Sequence, residues 1–178
     1  MSIKLILLLP LCMFQIITKG QNITLDQVIN LRTKSLAEVE EFLVSKNWEM
    51  VQAKEPSDST LGMATFSYDK SGYNNKAASF VRYLYNNATS NLNRISIQIN
   101  KTSIYSSFLV RLKALGFKLT SSKVKDGAIV KLYKDKSLTI EITNATQQEN
   151  YVTKTAYQFF ICNSFDYYIQ FGKDNDDK

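Results

Sequence analysis

The sequence predicts an α+β fold in which two tandem units, each of one helix and about four antiparallel strands, are related by a pseudo-twofold axis. The first observation is a repeat, because segment 36–50 matches segment 105–119 after a shift of about 69 residues. Both segments place apolar residues three and then four apart, which is one face of a helix. The second observation is that stretches of alternating apolar and polar residues follow each segment, as in half-buried strands. We therefore expect helices on one face of the sheet and an opposite face that stays partly open.

The two predicted units occupy residues 21–100 and 101–172. Residues 1–20 combine a basic residue, a short apolar run and small residues before Gln21, which predicts a cleaved signal peptide and an exported, periplasmic or extracellular chain. An uncleaved membrane anchor is the alternative, although the apolar run is shorter than the roughly 20 residues that a spanning helix needs. Residues 173–178 are expected to form a flexible acidic tail.

The first unit is predicted to begin with two helices. Capping-box pairs at Thr24 with Gln27 and at Ser35 with Glu38 predict helices over about 25–31 and 36–46. Asn47 is suited to end the second helix, because Asn tolerates a left-handed backbone. The strands of this unit are predicted at 48–53, 63–68, 80–85 and 94–100, with a helix as the alternative for 80–85.

The second unit is predicted to repeat this plan. Its helix covers about 103–115 and stops at Gly116. Asp126 and Gly127 are typical of a two-residue hairpin turn. The strands of this unit are predicted at 117–124, 128–133, 138–143 and 152–162. Residues 164–171 are expected to form either an edge strand or a short helix.

The composition argues against the common catalytic centres. The chain has no histidine, which removes the usual general base and the commonest metal ligand. It also lacks a nucleophile elbow, a phosphate-binding glycine loop and paired-cysteine metal motifs. We therefore expect no cofactor and no metal. Glu141 is the best single candidate for carboxylate chemistry, and a solvated strand residue is the alternative. Cys162 is predicted to be a buried thiol without a disulfide-linked partner.

Tyrosine is the unusual component, with 10 residues that fall mainly in predicted strands and loops. Tyrosine is enriched in binding surfaces, although strands also favour it for other reasons. The candidate binding face consists of Tyr83, Tyr85, Arg94, Gln98 and Glu141. We expect a non-catalytic module that binds a protein or glycan partner there. An enzyme with an unfamiliar carboxylate or tyrosine site and a structural envelope component are the alternatives. Nucleic acid is not expected, and neither is a span of the membrane by the processed chain.

The resemblances to known proteins are limited to outline features. The signal peptide, Gln21 at the start of the processed chain and the sequence ALGFK at 114–118 look like small uncharacterised exported proteins of Bacteroidetes-type bacteria. The tandem layout of helix plus four strands is similar in outline to the β-lactamase-inhibitory proteins. That second likeness covers architecture only, with no matching binding residues and without the disulfides of those proteins.

Overall fold

The computed structural model describes residues 22–70, 77–86, 92–149 and 152–172. The predicted signal peptide and the predicted acidic tail lie outside these residues. Within them the chain forms four helices and an eight-stranded antiparallel sheet, which confirms a mixed α+β fold. None of the described helices is long and apolar enough to cross a membrane.

The elements follow one another in two similar series. The first series is α1 (Leu25–Leu31), α2 (Leu36–Ser45), β1 (Trp48–Lys54), β2 (Gly62–Lys70), β3 (Ala77–Tyr85) and β4 (Arg94–Ile99). The second series is α3 (Thr102–Ala114), β5 (Lys118–Lys125), β6 (Ala128–Lys134), β7 (Leu138–Glu149), β8 (Val152–Asn163) and α4 (Ser164–Phe171). Both capping boxes are present, since Thr24 and Ser35 each accept the backbone N–H three residues further on.

All eight strands belong to one sheet, in the order β1-β2-β3-β4-β8-β7-β6-β5. Strands that follow one another along each half of the chain are neighbours, and the two halves meet where β4 pairs with β8. At that central seam Ser96 lies opposite Phe160. The first half of the chain therefore builds one half of the sheet and the second half builds the other.

Several local features recur at the spacing of the sequence repeat. Asn47 and Gly116 each follow a helix with a left-handed backbone, at φ 60° and φ 88°. One residue later, Trp48 and Phe117 are both buried. The pairing register shifts between Met50 and Gln52 in β1, and between Leu119 and Ser121 in β5. The edge strands of the two halves thus share a bulge at the same place.

Helices α1, α2 and α3 supply the helical side of the hydrophobic core. Leu43 and Leu112, which occupy matching positions in the repeat, are both fully buried, as predicted. The ring of Tyr105 on α3 stacks on Tyr157 of β8 with centroids 4.1 Å apart. The sheet residues in this core include Ala64, Phe66, Val81, Tyr83, Ile95, Ile97, Ile99, Ile140, Ile142, Phe159 and Ile161. We call the side of the sheet that carries them the core face.

Helix α4 lies on the opposite side of the sheet. Side chains alternate between faces along a strand, so Arg94, Glu141 and Phe160 point away from the core face. All three contact residues of α4. The segment 164–171 is therefore a helix and not an edge strand, and Asn163 caps it by accepting the N–H of Phe165 at 2.9 Å. We expected the helices on one face of the sheet, and α4 is the exception.

Candidate functional site

The side of the sheet opposite the core face is polar at its centre, and we call it the polar face. Strand alternation and pairing register assign its members. They include Thr65, Ser67, Phe80, Arg82, Arg94, Ser96, Gln98, Glu141, Gln158 and Phe160.

An ion pair fixes α4 to the polar face. Arg94 donates from Nε and Nη2 to the two carboxylate oxygens of Asp166, at 2.7 and 2.9 Å. Both side chains are largely buried. A bidentate pair of this kind is geometrically specific, and an acidic residue in the first turn also suits the positive end of the helix dipole. The pair therefore determines where α4 lies on the sheet.

Two further polar contacts and one ring contact hold α4 on the polar face. Together with the ion pair, we call these contacts the seat of α4. The Tyr167 hydroxyl donates to Oε2 of Glu141 at 2.5 Å, and the hydroxyls of Thr139 and Ser164 are 3.0 Å apart. Burial and the bond to Glu141 raise the pKa of Tyr167 well above its usual value, so this hydroxyl stays a donor. The ring of Phe171 meets that of Phe160 edge-on.

Cys162 is buried in strand β8, which also carries Phe160. Burial raises the pKa of its thiol to about 12, and the nearby Asp166 adds to the shift. The thiol is therefore protonated at neutral pH and is not a nucleophile. It belongs to the packing of the sheet, as the sequence predicted.

The half of the polar face away from α4 contains a groove of about 430 Å³, which we call the β1 groove. Its walls are formed by Val51, Gln52, Thr65, Phe80, Arg82, Ser96, Gln98 and Gln158. Gln98 and Gln158 face each other across the seam between β4 and β8. Arg82 is exposed and makes no ion pair with another described residue. The groove thus offers amides, one cation and an aromatic ring to whatever enters it.

Thr65 and Ser67 are buried beside this groove without hydrogen-bond partners. Their residues are only 7% and 2% exposed, and neither hydroxyl oxygen has a partner among the described residues. An unpaired buried hydroxyl costs about 1–3 kcal/mol. Thr65 also lines the β1 groove, but its hydroxyl oxygen is buried beneath the groove surface and is not accessible from it.

A second groove, the α4 groove, lies between α4 and strands β5 to β7. Its volume is about 360 Å³, and its polar lining includes Lys123, Lys134, Glu141 and Tyr167. Glu141 is the single carboxylate among the described residues that line it. The described part of the chain has no cluster of three or more potential metal ligands.

The residues of the predicted binding face separate into two groups. Arg94, Gln98 and Glu141 lie on the polar face, as the alternation predicted, although Arg94 and Glu141 are engaged with α4. Tyr83 and Tyr85 lie on the core face instead, where both are buried and their rings stack 5.9 Å apart. The assignment of these two tyrosines to the binding face is therefore wrong.

The reason for this error can be read from strand β3. Phe80 and Arg82 alternate with Val81, Tyr83 and Tyr85, so the tyrosines share a face with the buried valine. The hydroxyl of Tyr83 donates to the Lys34 carbonyl, which allows a buried tyrosine in the core. The aromatic residue of the polar face is Phe80, and the alternation in β3 was the available signal for it.

No protein-family model matches this chain, and neither a curated protein nor a solved structure matches it.

Proposed function

We propose that this protein is an exported, non-catalytic binding module whose partner docks on the open half of the polar face, at the β1 groove. The observation that carries the proposal is the β1 groove itself, an open groove of about 430 Å³ on the polar face whose lining is mostly amide and hydroxyl side chains. Its cation, Arg82, is exposed and makes no ion pair with another described residue. An occupant of the groove would meet polar groups that are still free to bind it.

The side chains of the groove favour a protein partner. The amides of Gln52, Gln98 and Gln158 each provide donors and an acceptor, which suits peptide groups and polar side chains. Arg82 can pair with a carboxylate or stack on an aromatic ring. A glycan could use the same amides. We favour protein because Val51 and Phe80 add apolar surface, as in the centre of protein interfaces.

We also propose that the two halves of the chain are a duplicated unit with a pseudo-twofold axis through the Ser96–Phe160 pair. The strand order and the matched bulges in β1 and β5 support this. Under this axis Arg94 and Glu141, which hold α4, correspond to Gln158 and Arg82 in the β1 groove. The groove would then be the counterpart of the seat of α4, without a helix in it.

Site-specific crosslinking tests the binding proposal. A photoreactive p-benzoylphenylalanine in place of Phe80, an aromatic residue of the β1 groove, should capture a macromolecule when the protein is irradiated, alone or in envelope extracts of the producing organism. The same group in place of Val110, exposed on α3, is the control. Adducts from position 80 alone would support the proposal, whereas equal adducts from both positions, or none, would contradict it.

An affinity measurement with a captured partner adds a second test. Arg82→Ala and Gln98→Ala should each weaken binding by about tenfold, equivalent to about 1.4 kcal/mol. Their melting temperatures should stay near that of the parent protein, because neither side chain is in the core.

The enzyme alternative rests on a different observation, the contact of Glu141 with Tyr167 at the wall of the α4 groove. A carboxylate beside a tyrosine could act in hydrolysis, although glycosidases generally use two acids. Turnover of any glycan or ester substrate that Glu141→Gln abolishes, while Gln98→Ala leaves it unchanged, would favour this alternative over binding.

A further inference from the structure

The outward side of α4 is apolar and exposed. Phe165, Tyr168 and Ile169 are spaced three and four residues apart, so they share one side of the helix. They are 70%, 57% and 53% exposed. The inner side of α4 already packs on the sheet through Asp166 and Tyr167. Three large apolar side chains on the outer side of one short helix form a patch of the kind that marks an interaction surface.

This patch and the β1 groove lie on the same face of the same sheet. Suppose that two copies face each other across a plane between their polar faces. A twofold axis that lies in this plane, on the perpendicular bisector of the line from the protrusion to the groove, exchanges the protrusion of one copy with the groove of the other. A second copy turned about it places its α4 over the first copy's β1 groove, and the first copy's α4 over the second copy's groove. The positions of α4 and the β1 groove therefore permit an isologous contact, in which each feature of one copy meets the other feature of its partner.

We propose that the occupant of the β1 groove is α4 of a second copy of this chain, in a face-to-face homodimer. This inference rests on the proposed function and names its partner. Val51 and Phe80 give the groove an apolar surface for Ile169. Arg82, at the rim, is a cation that can lie over the ring of Phe165 or Tyr168. The contact would cover the exposed stripe of α4 and the unpaired side of the sheet together.

The polar face is large enough for a stable contact. Eight strands about 4.8 Å apart make a sheet about 34 Å across, and strands of seven residues are about 23 Å long. This gives an area of about 800 Å² for one face, near the area that each partner buries in an interface of standard size.

The oligomeric state of the purified protein tests the proposal. Sedimentation equilibrium of the parent protein should give twice the monomer mass. Ile169→Lys places a cation opposite Arg82 of the other copy, and Arg82→Glu removes the groove's cation, so each should weaken dimerisation by about tenfold or more. Val110→Lys changes an apolar residue on α3 that is even more exposed than Ile169 and should leave the dimer intact. All four proteins should give the same circular dichroism spectrum, which excludes misfolding as the cause, while the proteins that dimerise should melt at a higher temperature than the monomeric variants.

Mixing the two deficient variants gives a sharper test. In the proposed dimer, one contact then joins an unchanged α4 to an unchanged groove. The other joins the new lysine at position 169 to the new glutamate at position 82. The mixture should therefore form heterodimers at concentrations where each variant alone is monomeric. A dimer through any other surface would not be restored in this way.

The outcomes separate this inference from the proposed function. A parent protein that stays monomeric up to about 1 mM, or a dimer that neither Ile169→Lys nor Arg82→Glu weakens, overturns the homodimer. If the photoreactive group at position 80 then captures a different macromolecule, the binding function stands and only the identity of the partner was wrong. If it captures nothing, both proposals fail.

Discussion

At the scale of single residues, Arg94 has a structural role and is not available to bind a partner. The sequence placed it correctly on the polar face, because its strand alternates with three buried isoleucines. The sequence contains no signal for its bidentate contact with Asp166, which lies 72 residues further along the chain. Its charge is thus neutralised within the molecule, and Arg82 is the described arginine of this face that remains exposed.

We expect Arg94→Ala to destabilise the fold, because it leaves the Asp166 carboxylate buried without its partner. Breaking a buried ion pair from one side typically costs about 3–5 kcal/mol. Urea unfolding monitored by the fluorescence of Trp48 measures this loss. Gln98→Ala, on the same strand and face, is the matched control and should change stability by less than about 1 kcal/mol. Similar small losses for both variants would mean that the ion pair does not hold α4.

At the scale of elements, the two helix ends that precede β1 and β5 offer a comparison of backbone cost. Gly116→Ala should lose about 1–2 kcal/mol, since a left-handed backbone is unfavourable for a residue with a Cβ. An added Cβ would meet nothing within 4 Å there, so the cost comes from the backbone alone. Asn47→Gly, at the matching position, should be neutral or slightly stabilising. Thermal unfolding of both variants checks this, and a stabilised Gly116→Ala would contradict the assigned φ.

The proposed duplication makes a second prediction for the helices. Leu43→Ala and Leu112→Ala should each cost about 2–5 kcal/mol, because both side chains are fully buried in matching helix positions. Denaturant melts of the two variants provide the measurement, with Val44→Ala on the exposed side of α2 as the control. One neutral and one severe substitution would show that the two units do not pack equivalently.

The success of sequence reasoning differed between these elements for physical reasons. The helix ends, the hairpins and the alternating strands could be predicted, because local spacing and turn residues determine them. Helix α4 could not be assigned, since Phe165 to Phe171 is apolar on several sides and fits a helix or a strand. Its position depends on Arg94 and Glu141, which are distant in sequence. The β1 groove could not be predicted either, because its lining residues come from five strands, β1 to β4 and β8, which only the assembled sheet brings together.

At the scale of the whole molecule, a buried tyrosine hydroxyl and a buried cysteine thiol make the stability of the fold depend on pH in the alkaline range. Burial raises the pKa of Tyr83 and the pKa of Cys162 to about 12. In the unfolded chain these groups lose their protons near pH 9–10, while the folded chain still holds them. The unfolded state then binds fewer protons, so the free energy of unfolding decreases as pH rises.

We therefore expect stability to fall between about pH 9 and pH 12, the interval between the ordinary and the raised pKa values. Urea unfolding at a series of pH values gives the slope. The double variant Tyr83→Phe with Cys162→Ala should show a smaller slope, even though it is less stable at pH 7. Tyr168→Phe removes an exposed hydroxyl and should leave the slope unchanged. An equal slope in the parent and the double variant would assign the alkaline loss to other groups.

The seam between β4 and β8 has a consequence for the order in which the molecule is made. Strands β1 to β4 can pair as soon as they are synthesised, but the second edge of β4 has to wait for β8, the last strand among the described residues. Until then a half-finished molecule presents the open hydrogen-bonding edge that runs through Ile95, Ile97 and Ile99. An open strand edge with apolar side chains can pair with another chain and lead to aggregation. If the chain is threaded through a membrane from its N-terminus, we expect this edge to need shielding by a chaperone on the far side until β8 arrives.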